Sequence, residues 1–415
     1  MKLRVTGRGR HATIVAALLL IAPMATFAQS GPMTGSLPEV EPADYDFRLG
    51  PFLFSPNVSI TEAGVDTNVF DEPVSPKRDY MLTLTPDMQI YARTGLLLFS
   101  GVTSNDFTYY HEYQSERSIS RNYRGRLEFL LSRVRPWIAG AHVQKRTRPN
   151  DEIDLRARRA EIELSGGVGF EISPLARFFV MGSRLRTRFD DNQIFRATDL
   201  AQTLNRREEA FAGGVRIQAT PFTIVTLSGG ISRDRFDQTG SRNAETRGAT
   251  VEVEFSPEAI VRGRAELSFD DFKPDNPSIP SYRGITGAAA LTYTVLDRAT
   301  VTGEFSRGVQ YSFETSESYF IDTGADVTWT QKLFGPWDVL GRYSRQWLDY
   351  AEVGVAAVSG SNPAVNAYQV GVGYNLQDNS RLGFNYEYAE RVSDARPDRR
   401  FNRRRFFGSY TYGFR

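Results

Sequence analysis

The chain has 415 residues, no cysteine, and 50 basic against 49 acidic residues, for a net charge of +1. That balance, without any basic run or domain, excludes nucleic acid as a partner. The lack of cysteine excludes a fold held by disulfides. The mean hydropathy is −0.38, and no apolar run approaches the roughly 20 consecutive residues that each helix of a membrane bundle needs.

The N-terminus reads as an export signal. Lys2, Arg4, Arg8 and Arg10 precede the apolar run Ala12–Leu20, followed by Thr26-Phe27-Ala28. This predicts a signal peptide over residues 1–28, cleaved after Ala28. Residues 29–48 carry Pro32, Pro38, Pro42, Glu39, Glu41, Asp44 and Asp46, a composition that predicts a flexible periplasmic tail. From residue 49 to 415 one pattern repeats: a stretch of alternating apolar and polar residues, a turn, and another such stretch. The first strand falls at roughly Gly50–Val65 and the second at Tyr80–Arg93. The clearest case is Glu258–Asp271. There Ala259, Val261, Gly263, Ala265, Leu267 and Phe269 share one face, while Arg262, Arg264, Glu266, Ser268 and Asp270 share the other. A period of two marks a strand with an apolar medium on one side and water on the other.

About 18 such strands are present, with 16 as the alternative. Tight turns at Arg93-Thr94-Gly95, Thr220-Pro221, Ser256-Pro257 and Leu296-Asp297 alternate with longer polar loops such as Asp66–Asp79, Asp190–Arg206 and Val353–Asn366. The predicted fold is all-β: a transmembrane antiparallel up-and-down barrel with short periplasmic turns and longer extracellular loops. The compartment is then the outer membrane of a Gram-negative bacterium, with outer-membrane lipid as the first partner. Large aromatics follow the same geometry. Trp137, Phe170, Phe255, Trp329 and Trp337 sit beside short turns with apolar-face parity, and Phe189, Phe269, Tyr319, Trp347 and Tyr388 fall near the opposite ends. They are predicted to form the two aromatic girdles of a barrel. At the C-terminus Tyr410, Tyr412 and Phe414 alternate with polar residues, resembling the terminal signal read by barrel-assembly machinery.

Chemistry-bearing motifs are few. Of three histidines, His142 is predicted on the lumen face with Gln144 and Arg146, which form no nucleophile–base pair. Asp190-Asp191-Asn192 lacks the glycine and terminal glutamate of a calcium loop. No enzyme activity, cofactor or metal is predicted. The charged residues of the lumen face are more informative. Counting from a turn near Ser173 sets Glu161 opposite Arg184, with Glu163 and Arg186 as neighbours and Arg188 extending the row. Counting from a turn near Pro257 sets Glu252 opposite Arg262, with Glu254 and Arg264 diagonal and Glu266 on the same face. Opposite-charge cross-strand pairs contribute roughly 0.2–1 kcal/mol each. Such ladders either rigidify the wall or, with Asp322, Asp326 and Glu387 elsewhere, set a transverse field that orders charged solutes. Eight strands would be filled by side chains, whereas 16–18 leave an aqueous channel. Loop Asp190–Arg206, with Ile194, Phe195, Leu200 and Leu204, either folds inward to narrow that channel or covers the outer rim.

The segment Phe47-Arg48-Leu49-Gly50-Pro51-Phe52-Leu53-Phe54-Ser55-Pro56, then Val65-Asp66-Thr67-Asn68-Val69-Phe70 and Asp79-Tyr80-Met81-Leu82-Thr83-Leu84-Thr85-Pro86, resembles the opening of the putative β-barrel porin 2 family. The likeness is specific over about forty residues and architectural over the rest. It implies an outer-membrane, channel-like protein and carries over no catalytic residues. Some members of that family are associated with exopolysaccharide or capsule export, so the resemblance also implies polysaccharide-export components as partners. The expected function is a passive channel for small polar solutes, with an accessory role in export as the alternative.

Overall fold

The computed structural model describes residues 45–296, 298–314, 317–351, 363–376, 380–393 and 397–413. The expected signal peptide, most of the tail, and Phe414 lie outside the described residues. Within them the alternating stretches form eighteen barrel strands. The first six are β1 (Phe52–Asp66), β2 (Asp79–Thr94), β3 (Leu97–Tyr110), β4 (Ser118–Phe129), β5 (Val134–Thr147) and β6 (Ala157–Ser173). Next come β7 (Ala176–Phe189), β8 (Arg206–Thr220), β9 (Thr223–Phe236), β10 (Ala244–Phe255), β11 (Val261–Pro274) and β12 (Tyr282–Val295). The last are β13 (Ala299–Tyr311), β14 (Tyr319–Lys332), β15 (Trp337–Ala351), β16 (Ala364–Leu376), β17 (Ser380–Val392) and β18 (Phe401–Gly413).

Every strand pairs antiparallel with its sequence neighbours, and β1 closes the ring on β18 from Asn57↔Gly413 to Asp66↔Arg405. Closure leaves no open edge, a requirement where no water can satisfy unpaired backbone groups. The seam holds one irregularity. A bulge at Ile60/Ala63 puts Glu62 at a φ of +57° and turns its carboxylate onto Arg405, 2.6 Å away. Before the barrel, Phe47–Leu49 pairs antiparallel with Phe52, Leu53 and Phe54 of β1 around a tight Gly50-Pro51 turn, so the expected tail contributes a short strand at its end.

One face of the ring is apolar and exposed: Ile162, Leu164, Phe211, Leu267, Val370 and Phe384 are each at least half exposed. A water-soluble protein would not leave such a belt uncovered. The other face is polar. Strands of 12 to 17 residues exceed the roughly 9–11 needed to cross a bilayer at a tilt, so their ends protrude. Connections on one side have two to five residues and on the other seven to sixteen. The long side is therefore the extracellular one.

Candidate functional site

The ladders fix which side chains face inward. Glu161, Glu163, Glu252, Glu254, Arg262, Arg264, Glu266, Asp322 and Asp326 all have inner-face parity. Between β10 and β11 the pairing differs from the expected one: Glu254 stands opposite Arg264 and Glu252 opposite Glu266. Residues 256–260 are all spent in the connection, a displacement of four, and an even displacement keeps each face intact. Arg216 reaches Glu254 at 2.8 Å, Arg342 reaches Asp326 at 2.6 Å, and Glu161 lies between Arg159 at 2.9 Å and Lys145 at 3.8 Å. Arg262 donates to the Thr294 hydroxyl at 2.9 Å. The wall thus carries both signs of charge, in part as close pairs.

Arg184, Arg186 and Arg188 are a correction. The β6–β7 turn is only Pro174-Leu175, and the ladder shifts between Glu171 and Ser173. Glu161 faces Thr187, while Arg184 pairs with Leu164 and Arg186 with Ile162. Those partners belong to the exposed apolar belt. The displacement is odd, so the whole row turns to the other face. The expected basic arc stands on the outside of the barrel.

Three expected girdle residues also move. Trp137 pairs with inward Glu128, and Arg126 lies 4.1 Å above its ring, so it lines the lumen. Phe189 has inner parity and is buried under the loops. Tyr319 keeps outer parity, but its ring meets Phe272 at 4.9 Å and its hydroxyl donates to the Pro280 carbonyl at 2.9 Å; it is buried by loops rather than facing lipid. Phe170, Trp329, Trp337 and Phe269 are exposed on the outer face, and Phe255, Trp347 and Tyr388 share that face by register. Tyr410 and Tyr412 lie on the outer face of β18. His142 is also corrected. It pairs with Ile162 and stacks on Tyr123, facing outward.

The least legible feature is a plug at the long-loop end. An eighteen-strand ring is roughly 35 Å across, given strands ~4.8 Å apart and tilted by about 40°. The β5–β6 and β13–β14 connections leave it from nearly opposite points, yet they touch. Glu152, 1% exposed, accepts from the Ser312 hydroxyl at 2.7 Å and the Phe313 N–H at 3.1 Å. The ladder between β12 and β13 stops at Gly287↔Arg307, whereas β13 and β14 stay paired to Tyr311↔Tyr319. The freed hairpin leans inward, and Tyr311 packs on Phe236 of the inner wall at 4.8 Å.

Other loops complete the plug. In the β7–β8 connection Asp199 accepts from the N–H of Ala201 at 2.9 Å and caps the short helix α1 (Leu200–Leu204). Leu200 and Leu204 of α1 join Ile153 and Phe313 in a dry cluster, with Phe195 against Phe313 at 4.9 Å. This is the inward-folding outcome for that loop; Ile194 stays exposed. Arg242 donates to the carbonyls of Ser312 and Glu314, and Arg399 pairs with Glu314. Arg148 bridges to Asp71 at 3.0 Å, and Arg391 holds Asp154 at 2.6 Å. Burial pushes the Glu152 carboxyl up to about 7, against the opposing pull of the Ser312 hydrogen bond and Arg399. The Asp151 and Asp154 carboxyls are likewise raised by burial. Among the described residues no cluster of His, Asp or Glu is arranged to hold a metal ion.

The family model described as Putative beta-barrel porin 2 matches residues 44–409. No curated protein matches the chain. Among solved structures, it is similar to OccK2 (OpdF) of Pseudomonas aeruginosa at 11% identity, over 87% of this chain and 98% of that one, with a TM-score of 0.49. A BenF-like porin from Pseudomonas fluorescens Pf-5 gives 10% identity, 88% and 99% coverage, and 0.48. OccAB3 of Acinetobacter baumannii gives 10% identity, 87% and 99% coverage, and 0.45. The closed barrel, its apolar belt and the family match put the protein in the lipid bilayer of a Gram-negative outer membrane. The chain is a porin-like outer-membrane β-barrel and belongs to the family Putative beta-barrel porin 2.

Proposed function

We propose that the protein is a passive, non-enzymatic channel for small polar solutes, narrowed at its outer mouth by the loop plug. The observation that carries this reading is an eighteen-strand closed ring with a polar, charged inner wall, since a ring of that size encloses an aqueous lumen. Pairs such as Arg216–Glu254 and Arg342–Asp326 mix both signs along the wall, which favours hydrated polar solutes over ions of one charge. The outer-face aromatics Phe170, Phe255, Trp329, Trp337, Phe269, Trp347 and Tyr388 serve as boundary anchors in lipid. Tyr410 and Tyr412 on β18, with Phe414 following in the same sequence pattern, supply the signal that assembly machinery engages. No feature of the barrel favours the export-accessory role over the channel.

Liposome swelling tests the reading. Proteoliposomes holding the purified protein swell in isosmotic arabinose and more slowly in larger sugars. Rates equal to those of empty liposomes for every solute would overturn it.

A further inference from the structure

The arginines that left the lumen have a second setting. On the extracellular half of β7–β12 the outer face changes abruptly from apolar to basic. Phe211, Ile231, Ala249, Phe269 and Ile285 end the lipid belt, and one pleat higher the ladder neighbours are charged: Arg184↔Glu209, Glu209↔Arg233, Arg233↔Glu245, Arg247↔Asp271 and Asp271↔Arg283. From this level to the strand ends, the outer face of these six strands carries nine basic side chains and three acidic ones, and the loop acids Asp237 and Asp275, paired with Arg186 and Arg235, add two more. The surplus is four positive charges.

Lys273–Asp271 and Arg235–Asp275 are close, at 2.8 Å each, but other ion pairs in this belt are loose or shared. Glu209 serves both Arg184 and Arg207, at 3.7 and 3.8 Å, with all three side chains well exposed. Glu245 serves both Arg233 and Arg247. Exposed pairs of this kind contribute little, so their guanidinium groups can exchange partners cheaply. Arg188 and Arg283 have no carboxylate partner among the described residues, and Arg283 lies 5.5 Å over the Phe269 ring.

Directly beneath lies a groove of about 510 Å³ on the outer surface, floored by Phe211, Gly229, Ile231, Ala249 and Phe269 and rimmed by Arg247, Asp271 and Arg283. Gly229 gives it depth, because no side chain fills the centre of the floor. An apolar trough opening toward the bilayer, with cations at its outer lip, matches an acyl chain below a phosphate. Guanidinium groups bind phosphate in forked pairs of hydrogen bonds.

We propose that this face binds the phosphorylated glycolipid of the outer leaflet, lipid A, with an acyl chain in the groove and a phosphate held by Arg247 and Arg283 beside Asp271, whose carboxylate is already engaged by Lys273 at 2.8 Å. The test measures binding of diphosphorylated lipid A to the full-length protein in detergent, by native mass spectrometry. Wild-type protein retains lipid A, and inorganic phosphate alone does not displace it. Arg247→Gln/Arg283→Gln binds about tenfold more weakly, a few-fold per cation lost near a charged surface. Arg283→Gln alone, which breaks no ion pair, gives a smaller loss in the same direction. Arg121→Gln, on the outer face of β4 beyond the groove, binds as wild type, and heat-modifiable migration on gels checks that each barrel is folded. Three results would overturn the proposal: equal binding by the double variant, equal binding of phosphate-free lipid A, or an equal loss in Arg121→Gln.

Discussion

Glu152 makes the plug sensitive to pH, and the sign follows from its surroundings. Docked, the carboxyl is pushed up to about 7 from an ordinary value of 4.5; with the loop undocked it returns to water and that ordinary value. A group whose docked value is raised favours docking most when protonated. Its contribution is complete below pH 4.5 and lost as pH rises to about 7. The difference of about 2.5 units corresponds to about 3 kcal/mol at 1.36 kcal/mol per unit, or a full factor of roughly three hundred in the docking equilibrium, of which roughly a hundredfold falls between pH 4.5 and 7.5. Arg399 and Glu314 act on this carboxyl with opposite signs, and Arg242 lies close to it. Asp151 and Asp154, raised by burial as well, push in the same direction as Glu152. Hydrogen exchange of peptides covering residues 148–156 and 312–314, corrected for intrinsic rates, reads the opening equilibrium even when the open state is rare. Protection in wild type falls by roughly a hundredfold or more between pH 4.5 and 7.5. In Glu152→Gln, which keeps an acceptor for Ser312 and Phe313, the fall is much smaller. An equal fall in both proteins would refute the assignment to Glu152.

Further outcomes concern the wall. Arg381 donates to Asp338 at 3.0 Å, both nearly buried, and they meet across Gly373, where any added Cβ would come within about 2.5 Å of the pair. Gly373→Val separates them and costs about 3 kcal/mol or more, as when a buried ion pair is broken, seen as a lower urea midpoint in heat-modifiability assays. Arg405→Met leaves Glu62 and Glu387 without their 2.6 and 2.8 Å partner at the seam and lowers that midpoint similarly. Because Glu254 and Arg264 face each other on the inner wall, reversal potentials in a tenfold salt gradient lie near zero for wild type. Arg264→Glu shifts them toward cation selectivity.

Legibility in the sequence tracked how cleanly each strand separates its faces. On β11 the alternation of Leu267 and Phe269 with Arg264 and Glu266 assigns both faces, and a miscounted turn changes the partners but not the sides. On β5 the inner set Trp137, Ala139, Ala141 and Val143 is more apolar than the outer Gly140, His142 and Gln144, so hydropathy alone reverses the strand. Trp137 is tolerated in the lumen because Arg126 covers its ring. On β7 one bulged residue before a two-residue turn sends three arginines outside, and neither device has a signature in composition. The apolar Ile194, Phe195, Leu200 and Leu204 marked one plug loop as something other than solvated chain, whereas the cap that Asp199 gives its helix emerges only in the structure. Glu152 and Ser312 were illegible. Each is one polar residue in a short polar loop, and their meaning comes from a contact 160 positions apart.

The central claim, a water-filled lumen inside this ring, is tested most directly by planar-bilayer recording of the purified full-length protein. Discrete conductance steps in 1 M KCl are expected, more frequent at pH 7.5 than at pH 4.5. A membrane that remains at baseline with folded, inserted protein at both values would contradict it.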